Sequence, residues 1–163
     1  MAGPTPKHYR EVMAHVPTSV AIVAGLIDGK SAGLSVGTFV PVSLEPPLIG
    51  FFVARTSKSW PTIHGGGAFC VSVLGDDQEE ISARFAVSDT DKFAGVEWRL
   101  APSGQPVVAG SVAWVDCEID RIIEAGDHIF VLGRVLDMGL EAGQPPLVHH
   151  RSAYRRVADS PPV

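Results

Sequence analysis

The run Ser57-Lys58-Ser59 follows an apolar stretch and precedes Pro61, a residue favoured in the first turn of a helix. Two hydroxyls, a lysine charge and the free N–H groups of such a helix would together hold a phosphate. The same residues equally make a plain N-cap, with Lys58 and Arg55 in solvent. A second candidate is Gly33-Leu34-Ser35-Val36-Gly37-Thr38-Phe39. Small residues let backbone amides approach a flat ring closely, and amides with hydroxyls supply donors to its edge. An ordinary strand with a glycine bulge has the same composition. The third is Gly126-Asp127-His128. An imidazole just after a turn can stack on, or hydrogen-bond to, a heteroaromatic ring. It can also be a satisfied strand-end residue, with Asp127 serving the turn.

Other chemistries lack their signatures. No GxGxxG follows a strand pattern, and GxxxxGK[ST] and HExxH are missing; Gly33-Leu34-Ser35-Val36-Gly37 has the GxSxG spacing but lies within an expected strand, so it makes no nucleophile elbow. His149-His150 would point to opposite faces of a strand, so this pair does not predict a metal site. Cys70 and Cys117 belong to no CxxC pair and read as buried free thiols. Lys and Arg are scattered and the net charge is −5, which gives no footprint for nucleic acid. No apolar run reaches the length of a membrane span. Residues 1–10 lack a secretory apolar region, so a cytoplasmic location is expected.

The elements that must position these residues are short. The 163 residues, 45% hydrophobic and 19% charged, suit one domain with a substantial core. That domain is expected to span 1–163, with its core at about 8–157 and a flexible tail at 158–163. Tyr9, Val12, Met13 and Val16 recur at helical spacing, which predicts a short amphipathic helix closed by Pro17. Residues 19–24 are rich in β-branched side chains, and Asp28-Gly29 predicts a hairpin returning over 31–39. Further strands are expected at 48–54, 69–74, 112–118, 128–136 and within 147–154. A helix starting between Ser57 and Pro61 would end at Gly65-Gly66-Gly67. A second would run from a cap at Asp76 through Phe85, with Glu79 three residues after the cap. Between 87 and 106 the pattern breaks down, as in a long functional loop. Many short strands with a few helices predict a mainly β barrel rather than a doubly wound sheet.

Taken in order, the pieces resemble the flavin reductase domain family, whose members adopt an FMN-binding split β-barrel. The resemblance runs from Tyr9 to about Val157. It rests on residues 33–39, Val42-Ser43-Leu44-Glu45-Pro46-Pro47-Leu48-Ile49, Ser57-Lys58-Ser59-Trp60, residues 69–74 and Ser82-Ala83-Arg84-Phe85. Asp91-Lys92-Phe93-Ala94-Gly95, Gly126-Asp127-His128, and Pro146-Leu147-Val148 with Tyr154 complete it. It implies an NAD(P)H:flavin oxidoreductase that passes hydride from NADH or NADPH to FMN or FAD. It also implies a homodimer, and a flavin-dependent monooxygenase as recipient of the reduced flavin. Ser35, Val36, Gly37 and Thr38 would line the ring with Ala54 opposite, and Ser57, Lys58 and Ser59 would hold the phosphate. Arg84, Phe85 and Phe93 would close over the flavin, and His128 and Tyr154 would lie near the nicotinamide. Gly37 stands where many relatives carry Asn, Pro41 where Ser is common, and His149-His150 where apolar or aromatic residues are usual. A non-catalytic flavin-binding or electron-carrier barrel is the alternative that the same site allows.

Overall fold

The computed structural model describes residues 3–88, 91–141 and 143–158; the expected tail beyond 158 lies outside them. In chain order the elements are α1 (Pro6–Met13), β1 (Thr18–Ser19), β2 (Ala21–Ile27), β3 (Lys30–Val36), β4 (Val40–Ser43), β5 (Leu48–Ala54), α2 (Trp60–Gly66) and β6 (Ala68–Val73). They continue as α3 (Glu79–Ala86), β7 (Trp98–Leu100), β8 (Pro106–Val108), β9 (Ala113–Ala125), β10 (His128–Leu140), β11 (Leu147–His150) and β12 (Ala153–Arg156).

Seven strands form one antiparallel sheet in the order β3-β2-β6-β9-β10-β5-β4. Val23, Val36, Phe51, Phe69, Cys117 and Val131 come from six of its strands yet share one buried cluster. A sheet whose strands all face one core must be curled. Consistently, β3 touches β5 although four strands lie between them in the ladder. Ile63 of α2 enters the same cluster and fills the opening. This is the split barrel, mainly β with three short helices.

β2 explains where the second layer sits. Its alternate residues Ala21 and Val23 face the barrel core, whereas Ile22 and Ala24 join Leu74, Phe85 and Leu147 outside it. A strand buried on both faces reads as a continuous apolar run, and Val20 to Ala24 is one. Fully burying a side chain such as Ile22 or Phe85 is worth about 1.5–3 kcal/mol. α3 is therefore held flat against the outer face of β2 and β3. The β2–β3 hairpin turns at Asp28 and Gly29, both with positive φ, as that dipeptide predicts.

Several boundaries differ from expectation. α3 is not capped by Asp76. Gly75 bridges Pro146, and the Asp76 amide donates to Pro145 O, so the chain is still extended there. Gln78 holds the start of the helix: its Oε1 accepts from the Gly75 amide at 3.0 Å and its Nε2 donates to Ala109 O at 2.8 Å. The irregular stretch 87–106 contains β7, which pairs with β8 to form a small hairpin. β9 and β10 run thirteen residues each, well past the apolar runs that signal them. The last expected strand is a hairpin, β11–β12, turning at Arg151 and Ser152. α1 forms as its spacing predicts, yet none of its residues is buried.

Candidate functional site

A cleft of about 480 Å³ opens where the end of β5, the start of α2, the middle of β3 and the segment after α3 converge. Three of its walls follow from local sequence. β5 ends at Ala54 because Arg55 turns away: its amide donates to Asp127 O, its Nε to Gly126 O at 2.9 Å, and its guanidinium pairs with Glu124. Arg55 is thereby spent on the β9–β10 turn. Ser57, Lys58 and Ser59 then cross the cleft floor before α2 begins. Gly33 forms part of the β3 wall. A Cβ there would lie 2.4 Å from the Phe85 ring, so only glycine lets that ring seat against the strand.

Phe85 and Phe93 form the opposite wall, edge to face with ring centroids 5.0 Å apart. Lys92, between Asp91 and Phe93, is a cation anchored from three sides. Its Nζ donates to Gly33 O at 3.0 Å, Phe85 O at 3.0 Å and Ser59 Oγ at 3.1 Å, tying β3, α3 and the α2 entrance together. All three partners are neutral oxygens. Burial pulls its ammonium below the usual lysine value. A partly desolvated cation whose acceptors among the described residues are all neutral favours an anionic ligand nearby.

A smaller pocket of about 220 Å³ adjoins the cleft through Ser35, which lines both. Val36, Gly37, Thr18, Ser82, His149 and Tyr154 are among its walls. Gly37 has a local reason: a Cβ there would lie 2.8 Å from Thr18 Oγ1. His149 packs edge to face with Tyr154, ring centroids 5.8 Å apart. His149 is exposed and His150 half-buried, in adjacent positions on β11. Among the described residues no group of three or more His, Cys, Asp or Glu side chains gathers to hold a metal. Cys70 and Cys117 are buried free thiols, and burial pushes Cys70 up to about 12.

The structure thus gathers Ser35, Ala54, Ser57, Lys58, Ser59, Phe85 and Phe93 around the cleft, and Val36, Gly37 and Tyr154 around the adjoining pocket. Two expected residues stand elsewhere. Arg84 points to the far side of α3, where its guanidinium donates to Ala94 O beside Glu80 and Glu97. Neighbours on a helix point about 100° apart, so Arg84 and Phe85 cannot share a face. Thr38 lines neither space: its Oγ1 accepts from the Phe52 amide at 2.9 Å, beyond the end of β3. His128 lies opposite Ala54 in the β10–β5 ladder, at the cleft margin. Its Nδ1 is 2.7 Å from Asp127 Oδ1, and that hydrogen bond holds Asp127 below the usual carboxylate value. An ionised carboxylate only accepts, so Nδ1 carries the hydrogen and Nε2 is left for a ligand.

Lys92 and Ser82 belong to segments that carry the resemblance, but the resemblance gives neither a site role. Their signals are present but faint. Ser82 lies three residues before Phe85 and so shares its helix face, and Lys92 sits beside the buried Phe93.

The volume lies within the range of about 300–1,000 Å³ usual for ligand sites. An apolar wall, a hydroxyl-lined wall and one cationic end suit a flat ring carrying a phosphate. Comparison with known proteins agrees. The flavin reductase-like domain model matches residues 13–158. A flavin reductase of Pseudomonas putida is 43% identical over 91% of this chain and 88% of its own length. The reductase subunit of a flavin-dependent monooxygenase of Rhodococcus jostii is 38% identical over 93% of this chain and 78% of its own. The solved structure of a Streptomyces globisporus NADH:FAD oxidoreductase, in complex with NAD and FAD fragments, superposes with a TM-score of 0.89. It is 31% identical and covers 97% of this chain and 98% of that one. The chain belongs to the flavin reductase-like domain family.

Proposed function

We propose that this protein is an NAD(P)H-dependent flavin reductase, which takes hydride from NADH or NADPH and delivers it to FMN or FAD in the cleft between β3, β5 and α3. The observation that carries the reading is the cleft's polarity: a lysine whose partners among the described residues are neutral oxygens at one end, small residues and a serine hydroxyl at the other. The P. putida and R. jostii relatives support the activity, and the S. globisporus oxidoreductase supports the pairing of flavin with a nicotinamide cofactor.

The flavin supplies an electron-accepting ring that takes two electrons and a proton as hydride. The protein's task is to bind and align. Lys92, Lys58, Ser57 and Ser59 hold the phosphate. The amides and hydroxyl of β3 meet the polar edge of the ring, and Phe85 with Phe93 shields it from water. The pocket beside Ser35 admits the nicotinamide against the packed Tyr154–His149 pair, with His128 nearby, opposite Ala54. Transfer needs the two reacting atoms about 3–3.5 Å apart, which is an alignment problem rather than an acid–base one. No catalytic triad is required.

Reduced flavin passes to a partner monooxygenase, as the role of the R. jostii relative suggests. Two copies pair to form the working unit. Leu140, Leu44 and Met138, at 86%, 84% and 65% exposure, are apolar side chains that such a pairing could cover. Mixing the protein anaerobically with FMN or FAD and NADH or NADPH tests the activity. The oxidised flavin band bleaches if the reading holds, and persists with every cofactor pair if it fails.

A further inference from the structure

Three hydroxyls form a line through the wall that separates the cleft from the smaller pocket. Tyr154 Oη donates to Ser82 Oγ at 2.9 Å, and Ser82 Oγ lies 3.2 Å from Ser35 Oγ. They come from β12, α3 and β3, so the contact is purely tertiary. Ser82 is only 2% exposed. A hydroxyl buried so deeply costs free energy unless it is bonded, and an alanine would be the better helix former at that position.

The direction of the line follows from the donor count. Each hydroxyl has one hydrogen to give. Tyr154 gives its hydrogen to Ser82. Ser82 then gives its own to Ser35, its other hydroxyl partner among the described residues. Ser35, with its oxygen already receiving a hydrogen, keeps its own hydrogen for the cleft that it lines. Were the line reversed, Ser35 would enter the cleft as an acceptor and Tyr154 would lose its partner as a donor.

We propose that Ser82 is a positioning residue, which together with Tyr154 fixes Ser35 as a hydrogen-bond donor toward an acceptor on the edge of the bound flavin ring. The proposal rests on the flavin reading above. It gives a buried serine outside the cleft lining a task in ligand orientation, and it makes Tyr154 felt in the cleft without touching the flavin.

Equilibrium titration of oxidised FMN, read by its visible spectrum as well as by affinity, tests this in the intact protein. The variants are Ser82→Ala, Tyr154→Phe, Ser35→Ala and the double variant Ser35→Ala/Tyr154→Phe. Each single substitution is expected to weaken FMN binding about fivefold, the worth of one hydrogen bond. Each should also shift the bound flavin's band in the same direction. Tyr154→Phe should cost nothing more once Ser35 is alanine. Ser82→Thr, which keeps the hydroxyl, should bind as the parent does. The proposal is overturned if Tyr154→Phe and Ser82→Ala bind FMN with the parental affinity and spectrum. It is equally overturned if the Tyr154→Phe loss persists in full in the Ser35→Ala background. Should Ser82→Ala fail to fold, the Ser35–Tyr154 cycle decides alone. A parent protein that binds no FMN would defeat the flavin reading itself, whereas normal binding without coupling defeats only the hydroxyl line.

Discussion

At one end of the cleft, the Lys92 ammonium meets Gly33 O, Phe85 O and Ser59 Oγ; at the other, Ser35, Ser82 and Tyr154 hold one another, and among the described residues no lysine, arginine or carboxylate lines the adjoining pocket. The first end is built to attract charge, and the second to direct a neutral hydrogen bond. On the proposed reading, affinity for a phosphate comes from the former and is screened by salt. Register of the ring comes from the latter and is not. α3 serves both ends. Phe85 O is a partner of Lys92, and Ser82, one turn earlier on the same helix, is the centre of the hydroxyl line.

The largest effect should come from breaking what the ends share. Phe85→Ala removes a ring that is 1% exposed and seated on Gly33. A loss of about 3–5 kcal/mol in unfolding free energy is expected, measured by denaturant titration. FMN and riboflavin should both bind poorly to whatever remains folded. Next, Lys92→Ala separates the ends. It should weaken FMN about tenfold or more, the worth of a charge-assisted contact, and leave riboflavin almost unchanged. The parent's FMN affinity should fall with salt, and the variant's should fall less. Ser35→Ala is the mirror case: about fivefold weaker for FMN and riboflavin alike, with no change in salt dependence. Calorimetry at two salt concentrations separates the two patterns.

The smallest effect concerns pH. Burial lowers the Lys92 value in the folded protein below its ordinary 10.5. Between the lowered value and 10.5 the unfolded chain therefore binds more protons, so stability without ligand rises with pH across that window. The contribution is complete above 10.5 and is lost as pH falls through the folded value. Denaturant midpoints at stepped alkaline pH should show a slightly steeper rise in the parent than in Lys92→Met.

Much of the barrel was legible from local pattern. The 48–54 strand, the Asp28-Gly29 hairpin and the helix ended by the glycine run all form where spacing and turn chemistry place them. The far half of β9 and the last four residues of β10 were not legible, because Arg121 and Glu124 in the one and Asp137 in the other interrupt the apolar run. Those stretches are fixed by their partner strand rather than by burial. β7 was hidden for the same reason: its residues are exposed and only β8 defines it. In the site, Ser57, Lys58 and Ser59 and the Phe85–Phe93 pair, which the resemblance groups together, line one cleft. It misplaced Arg84, because sequence adjacency to Phe85 says nothing about which side of a helix faces a cleft. Lys92 and Ser82 acquire their roles from contacts 59 and 72 positions away in the chain, at Gly33 and Tyr154. No local pattern encodes such contacts.

The expected polarity of the cleft can be seen directly in a crystal soaked with FMN. The phosphate should lie within hydrogen-bonding distance of Lys92 Nζ and Ser59 Oγ, with the edge of the ring against Ser35. A ring at the Lys92 end, or FMN bound at another surface with the cleft vacant, would contradict the account.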